Sequence, residues 1–165
     1  MNRIIALFLC LVMGGQFFGP DKAWAELNVQ QRPRQAAWVF DEAGLMDDGA
    51  EQRLNQFLAV FQDDTDIEFL AVTVPNLDGQ DINAWTNALF ENWQVGRTTQ
   101  GHRGLLLVIA VAEQQVRLEV GLDLEGLLTD AFTGYIEREQ MKPFFEQGRV
   151  ADGLEATLEI GRAHV

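Results

Sequence analysis

The 165 residues are 47% hydrophobic and 22% charged, which suits one packed domain and excludes a disordered chain or a repeat array. The 25 acidic residues outnumber the 12 basic ones, and the resulting net charge of −13 argues against binding to nucleic acid or to an anionic membrane surface. The sequence holds no serine, one cysteine (Cys10) and two histidines (His102 and His164), so it excludes a serine nucleophile and disfavours a histidine-rich metal centre.

Both ends of the chain carry segments that we expect to lie outside the domain. Residues 1–25 combine a basic start, an apolar run and the small-residue motif Ala23-Trp24-Ala25, which predicts a secretory signal peptide in preference to a membrane anchor. Its removal would also remove Cys10. Residues 160–165 match the translation of a common sequencing-adapter DNA, so we expect them to be an artefact and the natural chain to continue past Glu159.

Between these ends, the hydrophobic pattern alternates between strand-like runs and helical periodicity, which predicts an α/β domain of two or three layers. In chain order the pattern first predicts a flexible leader over 26–37, a brief strand ending at Asp41, a helix from a capping box at Asp48 and a buried strand over 67–74. It then predicts a helix from an Asp81 N-cap to just before Gly96, followed by a central strand over 104–112 and its antiparallel partner over 116–120. The last two elements are a helix from about 128 to 140, stopped by Lys142-Pro143, and a final helix from about Arg149.

Carboxylates at predicted strand ends and loops are the main side chains left for chemistry. The segment Gly121–Gly126 offers the carboxylates of Asp123 and Glu125 together with loop carbonyls, which are the oxygen ligands that Ca²⁺ takes, although the spacing is not that of an EF-hand. The alternative for each acid is that it caps a helix or a turn. We expect His102 to be an ordinary exposed loop histidine.

Eight short motifs occur in a recognisable order: VFDEAGL at 39–45, Glu51 with Leu54 on a helix, LAVTVP at 70–75, WQVG at 93–96, GLLLVIA at 104–110, VRLEVG at 116–121, LEGLLTD at 124–130 and KPFF at 142–145. Together they resemble the TPM domain family over about 38–159. The family includes thylakoid-lumen proteins called acid phosphatases, photosystem II repair factors and many exported bacterial proteins.

The resemblance implies a Rossmann-like α/β sandwich, with a small mixed β-sheet flanked by about four helices, displayed outside the cytoplasm. It also implies a divalent cation, Ca²⁺, at the acids that match the family motifs, which are Asp41, Asp123, Glu125 and Asp130. Asp123 stands where the family's loop has a central glycine. Members commonly carry a transmembrane helix or a glycine-rich tail after the domain.

We therefore expect an exported module of the periplasm or the outer side of the cytoplasmic membrane, or of the thylakoid lumen in a photosynthetic source. Its expected role is a non-enzymatic accessory to the assembly or maintenance of a membrane complex, with a protein partner in the cell envelope and membrane contact only through a missing C-terminal segment. The alternatives are a divalent-metal-dependent acid phosphatase, which only the resemblance implies, and a metal-free interaction domain.

Overall fold

The computed structural model describes residues 31–33 and 37–163, in which one four-stranded sheet is flanked by helices. The predicted signal peptide, Cys10 and His164 lie outside the described residues. The elements are β1 (Val39–Asp41), α1 (Asp48–Thr65), β2 (Glu68–Val74), α2 (Ile82–Trp93), β3 (Gly104–Ala110), β4 (Gln115–Val120), a 3₁₀ turn (Leu122–Leu124), α3 (Asp130–Tyr135), a π-helical turn (Ile136–Met141), α4 (Lys142–Glu146) and α5 (Val150–Arg162).

The sheet has the strand order β1-β2-β3-β4, with the first three strands parallel and β4 antiparallel to β3. This mixed sheet confirms the predicted fold class and the predicted hairpin. Strands β2 and β3 are buried along their whole length. They lie at the centre of the sheet with helices on both faces, which explains why they read as continuous apolar runs in the sequence.

Helices α1 and α2 pack on opposite faces of the sheet. Leu54 and Leu58 of α1 share one core with Leu107 of β3, whereas Leu89 of α2 shares the other core with Leu106. Because the strand order advances in one direction from β1 to β3, the two crossovers have opposite hands, so one departs from the usual right-handed rule. The chain therefore leaves β1 and β2 towards different faces, and a crevice opens between their carboxyl ends.

Carboxylates begin both of the long helices in the first half of the domain. The α2 cap is confirmed: Asp81 Oδ1 accepts the backbone N–H groups of Asn83 and Ala84, each at 3.0 Å. The predicted start of α1 was wrong by one residue, because Asp47 is the N-cap and its Oδ1 accepts the N–H of Ala50 at 2.7 Å. Asp47 and Asp48 have the same side chain, so either could cap the helix by residue type. The backbone conformation makes Asp47 the cap.

The predicted helix stop at Lys142-Pro143 was also wrong. The helix passes through the π-helical turn and continues as α4 to Glu146. Pro143 falls in the first turn of α4, where a missing N–H breaks no α-helical hydrogen bond, so the proline is tolerated at this junction.

The last helix buries Val150, Leu154 and Leu158, as predicted, in the core on the face of the sheet that α1 covers. It extends to Arg162, whose Nη2 donates to Asp64 Oδ2 at 3.0 Å. The proposed origin of residues 160–165 stays a prediction. None of the helices within 31–33 and 37–163 combines the length and apolar character needed to cross a bilayer.

Candidate functional site

The crevice between the carboxyl ends of β1 and β2, here called the carboxyl-edge crevice, has a volume of about 190 Å³. Its lining includes Glu42 beyond β1, Val74 at the end of β2, Asp78 and Gln80 of the following loop, and Trp85 of α2. Open α/β sheets bind ligands at this position, because loops that diverge to opposite faces leave the strand ends accessible.

Asp41 lies at this edge, and hydrogen bonds within the protein already engage its carboxylate. Oδ2 accepts the N–H of Met46 at 2.7 Å, and Oδ1 accepts the N–H of Leu45 at 3.0 Å together with the hydroxyl of Thr73. The Thr73 oxygen in turn accepts the N–H of Ala43 at 3.2 Å. Asp41 therefore closes the loop after β1, which is the capping role that the sequence left open as an alternative.

Within residues 31–33 and 37–163, two acceptors beside the crevice, Gln80 Oε1 and Glu113 Oε2, are buried and have no hydrogen-bond partner. The other oxygen of Glu113 accepts the N–H of Leu77 at 2.9 Å, so this side chain reaches the loop that forms the crevice. Such buried acceptors are unusual, since a desolvated oxygen without a donor costs free energy.

The structure does not bring Asp41 together with the other three predicted metal ligands. Asp41 pairs in register with Thr73, which pairs with Ile109, whereas the segment after Val120 starts beside Leu105. Asp41 and the end of β4 are therefore separated by four residues along the strand direction, which is roughly 13 Å, and by three strand spacings across the sheet, which is roughly 14 Å. Asp123, Glu125 and Asp130 therefore follow the amino edge of the parallel strands, opposite Asp41.

Glu125 and Asp130 line a polar cleft of about 250 Å³ beside β4, here called the sheet-edge cleft. Arg117 crosses it and pairs with Glu119 at 3.1 Å and with Glu137 at 3.5 Å. Glu137 Oε1 also accepts the N–H of Leu118 at 2.9 Å, which protects part of the exposed edge of the sheet.

Asp123 does not line the sheet-edge cleft but lies against the turn at Gly101. A Cβ on Gly101 would be 2.2 Å from Asp123 Oδ2, and the φ of Gly101 is +83°. Within the described ranges, no group of three or more histidine, cysteine, aspartate or glutamate side chains is arranged to hold a metal ion. Calcium binding stays a prediction, now confined to the carboxylates of the sheet-edge cleft with water completing the ligand shell.

Three glycines of the family-like motifs meet where α2 ends and β3 begins. A Cβ on Gly96, whose φ is +79°, would lie 2.4 Å from the backbone nitrogen of Gly104. A Cβ on Gly121 would lie 2.6 Å from the carbonyl oxygen of His102. His102 is exposed, as expected, and lines a third cleft of about 280 Å³ with Arg97.

Glu68 is a structural residue that the sequence reasoning missed. Its side chain is 5% exposed, its Oε1 lies 2.6 Å from Arg32 Nη2, and its Oε2 accepts the N–H of Gly96 at 2.6 Å. Arg32 lies in the segment predicted to be a flexible leader, and this ion pair connects Arg32 itself to the domain. The sequence did contain a sign of this role, because Glu68 is an acidic residue at the start of a strand whose other positions are mostly apolar.

The loop that follows β4 exposes two large apolar side chains next to its acids. Leu122 is 80% exposed and Leu127 is 53% exposed, while Asp123 and Glu125 between them are also exposed. We call residues 122–127 the acidic leucine loop. Exposed apolar side chains that form a contiguous patch mark interaction sites, whereas single ones are ordinary on protein surfaces.

A family profile described as the TPM domain matches residues 39–160. Among solved structures, the N-terminal domain of a protein from P. gingivalis is similar, with 32% identity and a TM-score of 0.69 over 78% of this chain and 81% of that one. The N-terminal domain of a Corynebacterium glutamicum protein shares the fold, with 17% identity and a TM-score of 0.60 over 83% of this chain and 86% of the other. No curated protein matches the chain significantly.

Proposed function

The chain belongs to the TPM domain family, and from this premise we propose that it is an exported, non-enzymatic accessory module that binds a protein partner in the cell envelope. The partner belongs to a membrane complex whose assembly or maintenance the module assists. Export is supported by the sequence of residues 1–25 alone.

The observation that carries this proposal is the acidic leucine loop. Protein interfaces combine a few apolar anchors with a polar rim, and this loop offers Leu122 and Leu127 as anchors with Asp123 and Glu125 beside them. With a net charge of −13, the protein favours a partner with a basic surface around an apolar pocket.

The engaged carboxylates also support a non-enzymatic role. Asp41 accepts three hydrogen bonds from its own loop and from β2, and Asp47 and Asp81 cap helices. Glu137 neutralises Arg117 and covers a strand N–H. Each of these acids has a structural partner that accounts for its position in the fold, as helix caps and turn-closing carboxylates do.

Crosslinking in envelope fractions of the source organism tests this proposal. We expect the wild-type protein to crosslink reproducibly to one basic envelope protein, and the double substitution Leu122→Ser with Leu127→Ser to lose that product. The matched control is Val60→Ser, which removes an exposed apolar side chain from α1 and leaves the loop unchanged. Loss of the product in the control as well, or its retention in the double variant, would contradict the assigned surface.

The acid phosphatase alternative has its own assay. A phosphate ester would find a basic and a titratable group together at the cleft of Arg97 and His102. If the protein is non-enzymatic, nitrophenyl phosphate is hydrolysed at the uncatalysed rate, both with and without added divalent cation. Turnover that a chelator abolishes and that Arg97→Ala reduces would overturn the non-enzymatic proposal in favour of the phosphatase.

A further inference from the structure

We propose that Asp78-Gly79, in the loop between β2 and α2, is a site of spontaneous isoaspartate formation. The inference is independent of the proposed function, because it concerns a turn at the carboxyl edge of the sheet and not the acidic leucine loop. It rests on a comparison within the chain. Aspartate precedes glycine at three places, Asp48-Gly49, Asp78-Gly79 and Asp152-Gly153, and the fold holds each pair differently.

The reaction joins the side chain of Asp78 to the backbone of the next residue. The backbone nitrogen of Gly79 attacks Cγ of Asp78, a new C–N bond closes a five-membered succinimide ring, and one water leaves, made from the carboxyl O–H and the Gly79 N–H proton. A second water then opens the ring. If it breaks the bond from this nitrogen to the main-chain carbonyl carbon of Asp78, the chain runs through Cγ as isoaspartate, whereas breaking the new bond restores aspartate. Water is the one co-reactant.

The turn leaves both reacting groups accessible. Residues 77–80 form a tight turn closed by the hydrogen bond from the Gln80 N–H to the carbonyl oxygen of Leu77, at 3.0 Å. Asp78 and Gly79 are exposed, and within the described part of the chain neither the Asp78 carboxylate nor the Gly79 N–H has a hydrogen-bond partner. A Cβ added to Gly79 would meet no atom within 4 Å, so the ring has room to form.

The backbone of this turn also has little to hold it in place. φ is +51° at Asp78 and +79° at Gly79, in the left-handed region that residues with a Cβ occupy at a cost in free energy. Ring closure requires the Asp78 backbone to rotate until Cγ faces the next nitrogen, which breaks the hydrogen bond that closes the turn. Exposed turns open locally at much lower free energy than helices do.

The other two pairs are held by helices. Gly49 lies in the first turn of α1, which the N-cap Asp47 stabilises with a hydrogen bond of 2.7 Å. In α5 the N–H of Gly153 is donated to the carbonyl oxygen of Arg149 at 3.1 Å, and a Cβ on Gly153 would lie 2.7 Å from Cβ of Phe144. Ring closure at either pair would require a helical turn to unwind, so the fold protects these two and leaves the third reactive.

Isoaspartate at position 78 would change the wall of the carboxyl-edge crevice. It adds one carbon atom to the main chain and leaves the former main-chain carboxyl group as a free side group. The extra atom falls between two fixed points, the buried Leu77, whose N–H is donated to Glu113, and Asp81, which caps α2. We therefore expect conversion to displace Gln80 in the crevice lining and to weaken the start of α2.

The test is prolonged incubation of the folded protein in mildly acidic buffer, where water leaves readily from a protonated carboxyl group. Peptide mapping with electron-transfer fragmentation then distinguishes isoaspartate from aspartate at each site. We expect isoaspartate to accumulate at Asp78 at least about tenfold faster than at Asp48 and Asp152, which corresponds to about 1.4 kcal/mol in activation free energy. In a parallel sample unfolded in urea, the three pairs are the same dipeptide without a fold, and we expect similar rates.

Two variants connect the product to its site and to its effect. Asp78→Glu keeps the charge but would need a six-membered ring, which closes far more slowly, so we expect no isomer at position 78. The matched control Asp48→Glu is expected to leave the rate at Asp78 unchanged. After equal incubation the melting temperature is expected to fall by a few degrees in wild type and in the control, and to stay constant in Asp78→Glu.

Three outcomes would overturn the proposal. The first is equal accumulation at the three sites in the folded protein, and the second is faster accumulation at Asp48 or Asp152. The third is the absence of isoaspartate at Asp78 in the folded protein when the urea sample contains it. An equal fall of the melting temperature in wild type and Asp78→Glu would contradict the assigned effect on the crevice.

Discussion

Replacing Arg32 with alanine tests the strength of the ion pair that connects Arg32 to the domain. In the structure the Arg32 guanidinium lies 2.6 Å from Glu68 Oε1, with 32% of the arginine side chain and 5% of the glutamate side chain exposed. Arg32 Nη1 also lies 3.5 Å from the carbonyl oxygen of Trp93. Among the described residues, the substitution leaves the buried Glu68 carboxyl group with the Gly96 N–H as its one remaining donor.

The magnitude follows from the burial of the glutamate. Removing one member of a buried ion pair costs about 3–5 kcal/mol, because the remaining charge stays desolvated. Water reaches a third of Arg32, and the N–H of Gly96 still stabilises the Glu68 carboxylate, so we expect the lower value of about 2–3 kcal/mol. With a urea m-value of about 1.5 kcal/mol per molar, the unfolding midpoint falls by roughly 1.3–2 M.

The assay is urea unfolding followed by tryptophan fluorescence and by circular dichroism, with Arg53→Ala as the matched control. Arg53 also pairs with a glutamate, Glu155, but at 3.7 Å and with 65% of its side chain exposed. Exposed pairs contribute about 0–1 kcal/mol, so the control is expected to move the midpoint by less than about 0.7 M. Equal midpoint shifts in the two variants would refute the reasoning, since burial would then not govern the strength of the Arg32 pair.

Three further predictions follow from single contacts. Gly96→Ala places a Cβ 2.4 Å from a backbone nitrogen at a φ of +79°, so we expect it to lower the free energy of unfolding by more than about 3 kcal/mol in thermal unfolding. The control Gly126→Ala has no atom within 4 Å of its added Cβ and is expected to change the free energy of unfolding by no more than about 0.5 kcal/mol. Thr73→Val removes the hydroxyl that bonds Asp41 and is expected to cost about 1–3 kcal/mol, with Thr73→Ser restoring most of the stability; equal losses would contradict the assigned role of the hydroxyl. Millimolar Ca²⁺ is expected to raise the melting temperature by a few degrees, and Glu125→Gln with Asp130→Asn to remove that rise; an equal rise in the variant would place the ion elsewhere.

The main elements of the fold could be predicted because each depends on a short-range pattern. A strand buried on both faces is apolar at every position, as β3 is from Gly104 to Ala110, and a helix that packs on one side repeats its apolar residues every three or four positions, as α5 does. The two errors, at the α1 cap and at Pro143, concern features that single residues decide and that several backbone geometries satisfy.

The candidate site could be predicted only in part, because a ligand set depends on distances between elements far apart in sequence. Motif matching placed Asp41 in one group with the acids after β4. The register of the sheet puts them at opposite edges, since β4 runs antiparallel to β3. The buried role of Glu68 was equally hidden, because its partner Arg32 lies 36 positions away in a segment that reads as polar leader.

By itself, the sequence determined the α/β class, the alternation of elements, the family resemblance and the excess of negative charge. These properties follow from composition and from periodicities of two and of 3.6 residues, which local geometry imposes on any chain. Only the tertiary structure decided which face each helix covers, where the crevice opens and which acids share a cleft. Those features depend on crossover handedness and strand direction, which arise when the whole core packs and which no local pattern encodes.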